Sequence, residues 1–152
     1  MFMREVAESH VGLFPEHADA YGDNVRTKLE RCVAVGDAEF EAALRRLEEY
    51  REQAAEAMEG IDLLVTPTLA FVAPSALRDD LGIRDAVIRF TYPFNALGWP
   101  ALALPCGLAE DGLPASVQLV ARAGEDARAI AAGALVEHSE RLGRSEALGE
   151  PR

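Results

Sequence analysis

Positive charge is scarce in this chain. Fifteen arginines and lysines stand against 26 acids, a formal charge of −11 over 152 residues, and Lys28 is the one lysine. A surface of that sign cannot release counterions from a phosphate backbone, so nucleic acid is excluded as a partner. Anionic membrane surfaces are excluded on the same ground. No apolar run reaches the length that spans a bilayer, and the first residues, Met1-Phe2-Met3-Arg4-Glu5-Val6, lack the apolar centre of a signal peptide. The expectation is a cytoplasmic protein without membrane contact. Cysteine is scarce too: Cys32 and Cys106 make no disulfide framework and no Cys-x-x-Cys or Cys/His zinc spacing, so free thiols are expected. His10, His17 and His138 share no ligand periodicity and read as surface or interface residues. Neither metal nor cofactor is expected.

What the chain has is apolar substance: 49% of its residues are hydrophobic, enough for one domain with a core. A short helix is expected over 3–13 with Val6 and Val11 inward, then a loop over 14–21 around Pro15. Asp23 or Asn24 can cap a second helix, on which Val25, Leu29 and Cys32 share a face before Gly36. The strongest helical period runs from Asp37 to Glu59, with Phe40, Leu44, Leu47, Tyr50, Ala54 and Met58 on one stripe, a charged outer face, and Gly60 just past the end. The last helix is expected over 125–142, with Ala127, Ile130, Ala131, Ala134, Leu135 and Leu142 inward and Gly143 closing it. Residues 144–152 read as a frayed polar tail.

Between these helices lie three apolar strands. Residues 61–65 form a short one that stops at Thr66-Pro67-Thr68, where proline removes a ladder donor. Residues 69–82 read as an irregular loop, 85–90 as a turn or two of helix, and Pro93 as a redirection of the chain. Residues 101–106 and 115–121 flank Glu110-Asp111-Gly112, a tight-turn signal because glycine accepts positive φ. Neither run alternates apolar with polar, so both are expected to be buried on two faces. Strands alternating with helices indicate an α/β fold, a mixed sheet of about three strands flanked by helices. Three such strands standing alone leave an apolar edge open, so the pattern asks for further layers.

The pattern Thr91-x-Pro93-Phe94-Asn95-x-x-Gly98-x-Pro100-Ala101-x-x-x-Pro105-Cys106-Gly107, followed by Gly112-Leu113-Pro114 and Gln118-Leu119-Val120, resembles the C-terminal region of the amidase signature family. Asp62-Leu63-Leu64-Val65-Thr66-Pro67-Thr68 resembles the strand and loop that precede it there. Ser116 and Ala121 depart from the family, which often has glycine at those places. The resemblance implies that residues 1–143 are the C-terminal portion of an amidase domain. It also implies hydrolysis of an amide by a serine nucleophile, a bridging serine and a lysine base. This sequence has no Gly-Gly-Ser-Ser stretch, and Lys28 lies in a charged helical segment, so no catalytic residue is assigned here and the chain alone is expected to be inactive.

What the resemblance leaves to this portion is sheet framework and part of a substrate pocket. Candidate wall residues are Thr66, Pro67 and Thr68 at the strand end, Phe71 in the loop, and Thr91, Phe94 and Asn95 in the motif. Phe94 reads first as core, and Asn95 first as an amide that ties down a loop. Relatives that deamidate glutamine on tRNA tend to carry an aspartate shortly before the motif threonine. Val87-Ile88-Arg89-Phe90 holds no acid, which favours an apolar or aryl amide as the small-molecule substrate. Two alternatives stand beside this reading. One is an accessory or interaction domain without catalysis, homo-oligomeric through exposed apolar surface. The other is a cysteine hydrolase using Cys106, against which a buried structural cysteine is the simpler expectation.

Overall fold

The computed structural model describes residues 1–75 and 80–148, with side chains outside 80–81 and through 139. The described chain falls into two compact units, Met1–Glu52 and Gln53–Arg152.

In the first unit, α1 (Phe2–Ser9) contacts α2 (Asp23–Val33), with a short 3-10 turn at Ala18–Ala20 between them. Gly22, not Asp23 or Asn24, occupies the cap position of α2, and Asp23 is its first helical residue, paired with Arg26. Leu29 and Cys32 are buried as their spacing requires, whereas Val25 and Val11 are exposed. The second helix therefore narrows its inward stripe to two residues. Arg4 joins the pieces: its guanidinium lies 3.2 Å from Glu8, 2.9 Å from Asp37 and 3.1 Å from the Val35 carbonyl. The Glu8 hydrogen bond, then the Asp37 charge, raise its pKa further above the ordinary arginine value.

The division between units falls within α3 (Asp37–Ala57), which ends two residues short of the expected Glu59. Gly60 follows at φ +73°, a conformation that glycine alone adopts cheaply. Just past this end Arg122 donates to Met58 O, which also accepts from Ile61 N, and, at 3.1 Å, to Ile61 O. A cation there also suits the negative end of the helix dipole. Arg122→Ala should cost about 1.5 kcal/mol, the loss of charge-assisted hydrogen bonds that leaves Ile61 O to water and Met58 O with Ile61 N alone. A thermal melt checks this, and an unchanged midpoint would show that the contact contributes nothing.

The second unit is built on a sheet of order β1-β3-β2, with β1 at Leu64–Pro67, β2 at Ala101–Leu108 and β3 at Pro114–Val120. Both pairings are antiparallel, so no parallel neighbour of the kind a mixed sheet contains is among them. The α/β architecture and the three strands agree with expectation. The first strand is displaced, however: it begins at Leu64, and Thr66 and Pro67 belong to it, opposite Gln118 and Val117. Proline is tolerated because β1 is an edge. The turn between β2 and β3 forms at Glu110–Gly112, with Asp111 at φ +57° and Gly112 at φ +70°.

Paired residues present their side chains to one face. Leu102 and Leu104 of β2, with Leu119 of β3, lie under α6 (Asp126–Leu148); Leu64 and Val120 lie on the other face, where α5 (Tyr92–Leu97) packs. Pro93 stands in the first turn of α5, where its missing N–H costs nothing, so it starts a helix where a mere change of direction was expected. Gly98 ends α5 at φ +70°, and Trp99 N donates to Phe94 O at 3.0 Å. The helical turn or two expected over 85–90 belongs to α4 (Asp80–Ile88), which contains Gly82 and so shortens the expected loop.

Three further expectations about burial fail. On α3, Leu44 and Tyr50 of the expected stripe are exposed. On α6 the covered residues are Ala129, Ala132, Gly133 and Val136, while Ala127, Ile130, Ala131, Ala134 and Leu135 are exposed; Leu142 lies outside the described side chains. Gly133 sets that phase: a methyl there would overlap Leu102 Cδ2, so the helix approaches the sheet through its smallest residues. Nor does Gly143 close the helix, which continues to Leu148, with the rest of the expected tail outside the described residues. On β2, only Leu104 is buried and Leu108 is 73% exposed, so within this chain the strand is not covered on two faces.

Candidate functional site

The α5 face of the sheet changes character along the strands. It begins apolar at Leu64, Val120 and Ala101, then turns polar at Thr66 and Gln118, and continues to Thr68 and Ser116. Thr68 extends the β1 ladder by one bond, its N–H donating to Ser116 O at 3.1 Å. Ala101 and Ala103, small and exposed, lie beside this strip on β2.

Gln118 organises the strip. It is 2% exposed, the one buried polar residue of the described core. Its carboxamide nitrogen donates to Phe90 O at 2.5 Å and to Thr66 Oγ1 at 2.9 Å, with Pro67 O at 3.4 Å. The Thr66 hydroxyl in turn donates to Pro67 O at 3.2 Å. One amide thus links β3, the end of β1 and the backbone just before Thr91. The sequence carries a signal for it that the motif reading passes over: Gln118 is the only long polar side chain in an otherwise apolar run, and a buried amide must find partners.

The seven candidate wall residues divide accordingly. Thr66 and Pro67 meet at Gln118, and Thr91 adjoins the third partner, Phe90. Thr91 precedes α5 as its cap residue, but its hydroxyl leans back toward Ile88 O at 3.5 Å. Thr68 Oγ1 is buried without a hydrogen-bond partner. Phe71 is half-buried. Phe94 is core, 8% exposed, packed with Leu97 and Val120 and bordered by Ala54, Leu64 and Trp99. Asn95 is exposed on α5 and does not tie down a loop with its amide; Gln118 performs that task.

Cys106 is exposed rather than buried, at the irregularity where β2 slips register between Pro105 and Leu108, with Gly107 at φ +101°. A bulge turns the strand at this point, which lifts residues 106 and 107 out of the ladder. Among the described residues no histidine hydrogen bond reaches its sulfur, and none of them form a His/Cys/Asp/Glu group suited to a metal. No helix among them is long and apolar enough to cross a membrane.

Comparison with known proteins gives these features a context. A family model described as Amidase matches residues 12–130. A glutamyl-tRNA(Gln) amidotransferase chain of Prochlorococcus marinus (strain MIT 9313) is 33% identical over 121 residues, 74% of this chain and 25% of that protein. A fatty acid amide hydrolase of Medicago truncatula is 32% identical over 124 residues, 75% of this chain and 20% of that protein. A crystal structure of an amidase superposes with a TM-score of 0.85 at 30% identity, covering 90% of this chain and 33% of that one. The chain spans about a quarter of the length of the relatives it matches.

Proposed function

Because this chain belongs to the amidase family, we propose that it supplies sheet framework and part of the pocket wall to an amide hydrolase whose nucleophile and base lie outside it. The observation that carries this reading is a disproportion. The family match covers most of the chain, yet the chain spans about a quarter of its relatives, and its one lysine sits on α2, in the first unit. Amide cleavage requires an activated nucleophile, a base, and donors directed at the oxyanion. The strip offers hydroxyls and an amide, but neither Thr66 nor Thr68 has a basic partner among its hydrogen bonds. In this reading Ser-Ser-Lys chemistry comes from the remainder of the enzyme, and Thr66, Thr68, Phe71 and Thr91, with the carbonyl of Pro67, face a small amide. The partner is then that substrate, with neither nucleic acid nor membrane involved. The 87–90 stretch holds no acid, which favours an apolar or aryl amide.

An accessory domain without catalysis is the second reading, favoured by the open apolar surface of β2 and α6. Leu108, Ile130 and Leu135 are 73%, 62% and 72% exposed. Exposed apolar side chains on these two elements are what an interface covers, whether with the rest of one enzyme or with a second copy.

The size of the native product in its source cells, detected by antibody, separates the two. A product several-fold longer should hydrolyse an acyl anilide or a glutamine amide, and the purified 152-residue chain should release no product from either above the uncatalysed rate. Turnover by the 152-residue chain alone would overturn the proposal. A native product of only this length would favour the accessory domain.

A further inference from the structure

We propose that Gln118 is a positioning residue, a donor clamp that fixes the end of β1 against the Phe90–Thr91 junction and so sets the separation of two sides of the pocket. The consequence for catalysis rests on the pocket-wall reading above; the clamp itself does not. A carboxamide nitrogen has two hydrogens, and two acceptors lie within full hydrogen-bonding distance, Phe90 O at 2.5 Å and Thr66 Oγ1 at 2.9 Å. These belong to segments separated in sequence by the whole of α4. The ladder bonds of β1 run to β3, and the backbone bonds of Thr91 run locally to Ile88 and Asn95, so neither set holds the two segments to one another. Gln118 joins them through donors, and Thr66 passes the constraint on to Pro67 O at 3.2 Å. At 2% exposure water cannot substitute.

Donation, rather than shape, is the property a substitution can isolate. Gln118→Glu keeps the shape but, once ionised, only accepts, and it then faces two carbonyls. Those partners and Thr66 carry no titratable group; Arg89, the adjacent charge in sequence, is exposed, 5.7 Å from the Phe90 ring centroid. Burial and the facing oxygens raise the introduced acid's pKa above its unfolded value. Its stability is therefore fully present below the unfolded carboxyl pKa and lost as pH rises through the folded one. Gln118→Met, of similar length, donates at no pH.

The test compares the three proteins in the 152-residue chain. Relative to wild type at the same pH, Gln118→Glu, whose protonated carboxyl donates one hydrogen where the amide donates two, should melt moderately below it at pH 4.5 and much further below it at pH 8, while Gln118→Met shows a deficit independent of pH. By hydrogen exchange at pH 7, Gln118→Met should speed the Thr68 and Thr91 amides together by roughly fivefold, leaving the Ala109 amide of the β2–β3 turn unchanged. A Gln118→Glu deficit equal at both pH values, or faster exchange at only one of the two segments, overturns the clamp. If Gln118→Glu folds at neither pH, the exchange result of Gln118→Met decides alone. In a longer native hydrolase, Gln118→Met should raise KM several-fold with less change in kcat. Coupled exchange with unchanged KM would leave the clamp standing and remove Thr66, Pro67 and Thr91 from the pocket wall.

Discussion

Truncating Phe94 to alanine should remove about 3–5 kcal/mol of the chain's stability. The ring is 8% exposed and packs with Leu97 and with Val120, which is wholly buried. It also carries α5, a helix of six residues. A helix that short has almost no stability of its own, because nucleation costs more than so few hydrogen bonds return. Phe94 and Leu97 are its two buried residues, so tertiary packing holds it in place. Removing the ring sacrifices transfer energy and leaves a cavity, together about 3–5 kcal/mol in comparable cores. Small domains are stable by only about 5–15 kcal/mol, so this one contact accounts for a large share. The urea midpoint should fall sharply for Phe94→Ala and by much less for Phe94→Leu. A loss under about 1 kcal/mol for the alanine variant would contradict the core as described.

That Phe94 is core was legible from its place in an apolar motif, as were α3, the hairpin turn and the three strands. Local signals govern all of these: a 3.6-residue period, Asp-Gly at positive φ, apolar runs bounded by proline. What was not legible depends on neighbours. Size alone turns Ile130 and Leu135 of α6 inward, yet the sheet accepts Ala129, Ala132 and Gly133 because close approach excludes bulk. Proline alone ends β1 at Val65, and order within the sheet decides otherwise: on an edge strand Pro67 lacks nothing that a neighbour needs. An apolar run implies a buried Cys106, but the bulge after Pro105 leaves it in the open.

The polar strip shows the same limit. Of the seven wall residues that the motif and the strand end suggest, three converge at one place: Thr66, Pro67 and, through Phe90, Thr91. The residue that brings them together was visible only as an interruption in an apolar run. Which backbone groups an amide reaches is a property of register, and register here is set by pairs such as Thr66 with Gln118, 52 residues apart. Asn95 lies in the motif, which is what suggests a tethering role for it; its side chain faces outward from α5.

Register likewise determines the second large effect, at Gly133. A methyl built there would overlap Leu102 Cδ2 and lie 3.6 Å from both Leu102 Cγ and Leu104 Cδ1. Gly133→Ala should nevertheless cost little. Leu102 Cδ2 is the free end of a half-buried side chain and can swing away, and replacing glycine within a helix recovers about 1 kcal/mol of backbone entropy. Gly133→Val is different. Its γ-carbons fill the space into which Leu102 would swing, and Leu104 beside it is 6% exposed, so Leu102 has nowhere to go. The β-branched side chain also has essentially one rotamer in a helix and cannot turn aside. The helix must then lift from β2, and overpacking of this kind costs about 2–3 kcal/mol. Leu102→Ala removes the first obstacle, so most of the valine penalty should vanish in that background. Urea melts of wild type, both single variants and the double variant read this directly as a coupling energy. Additive losses would mean that valine at 133 is destabilising for reasons other than contact with Leu102, and that α6 does not depend on glycine for its seat on the sheet.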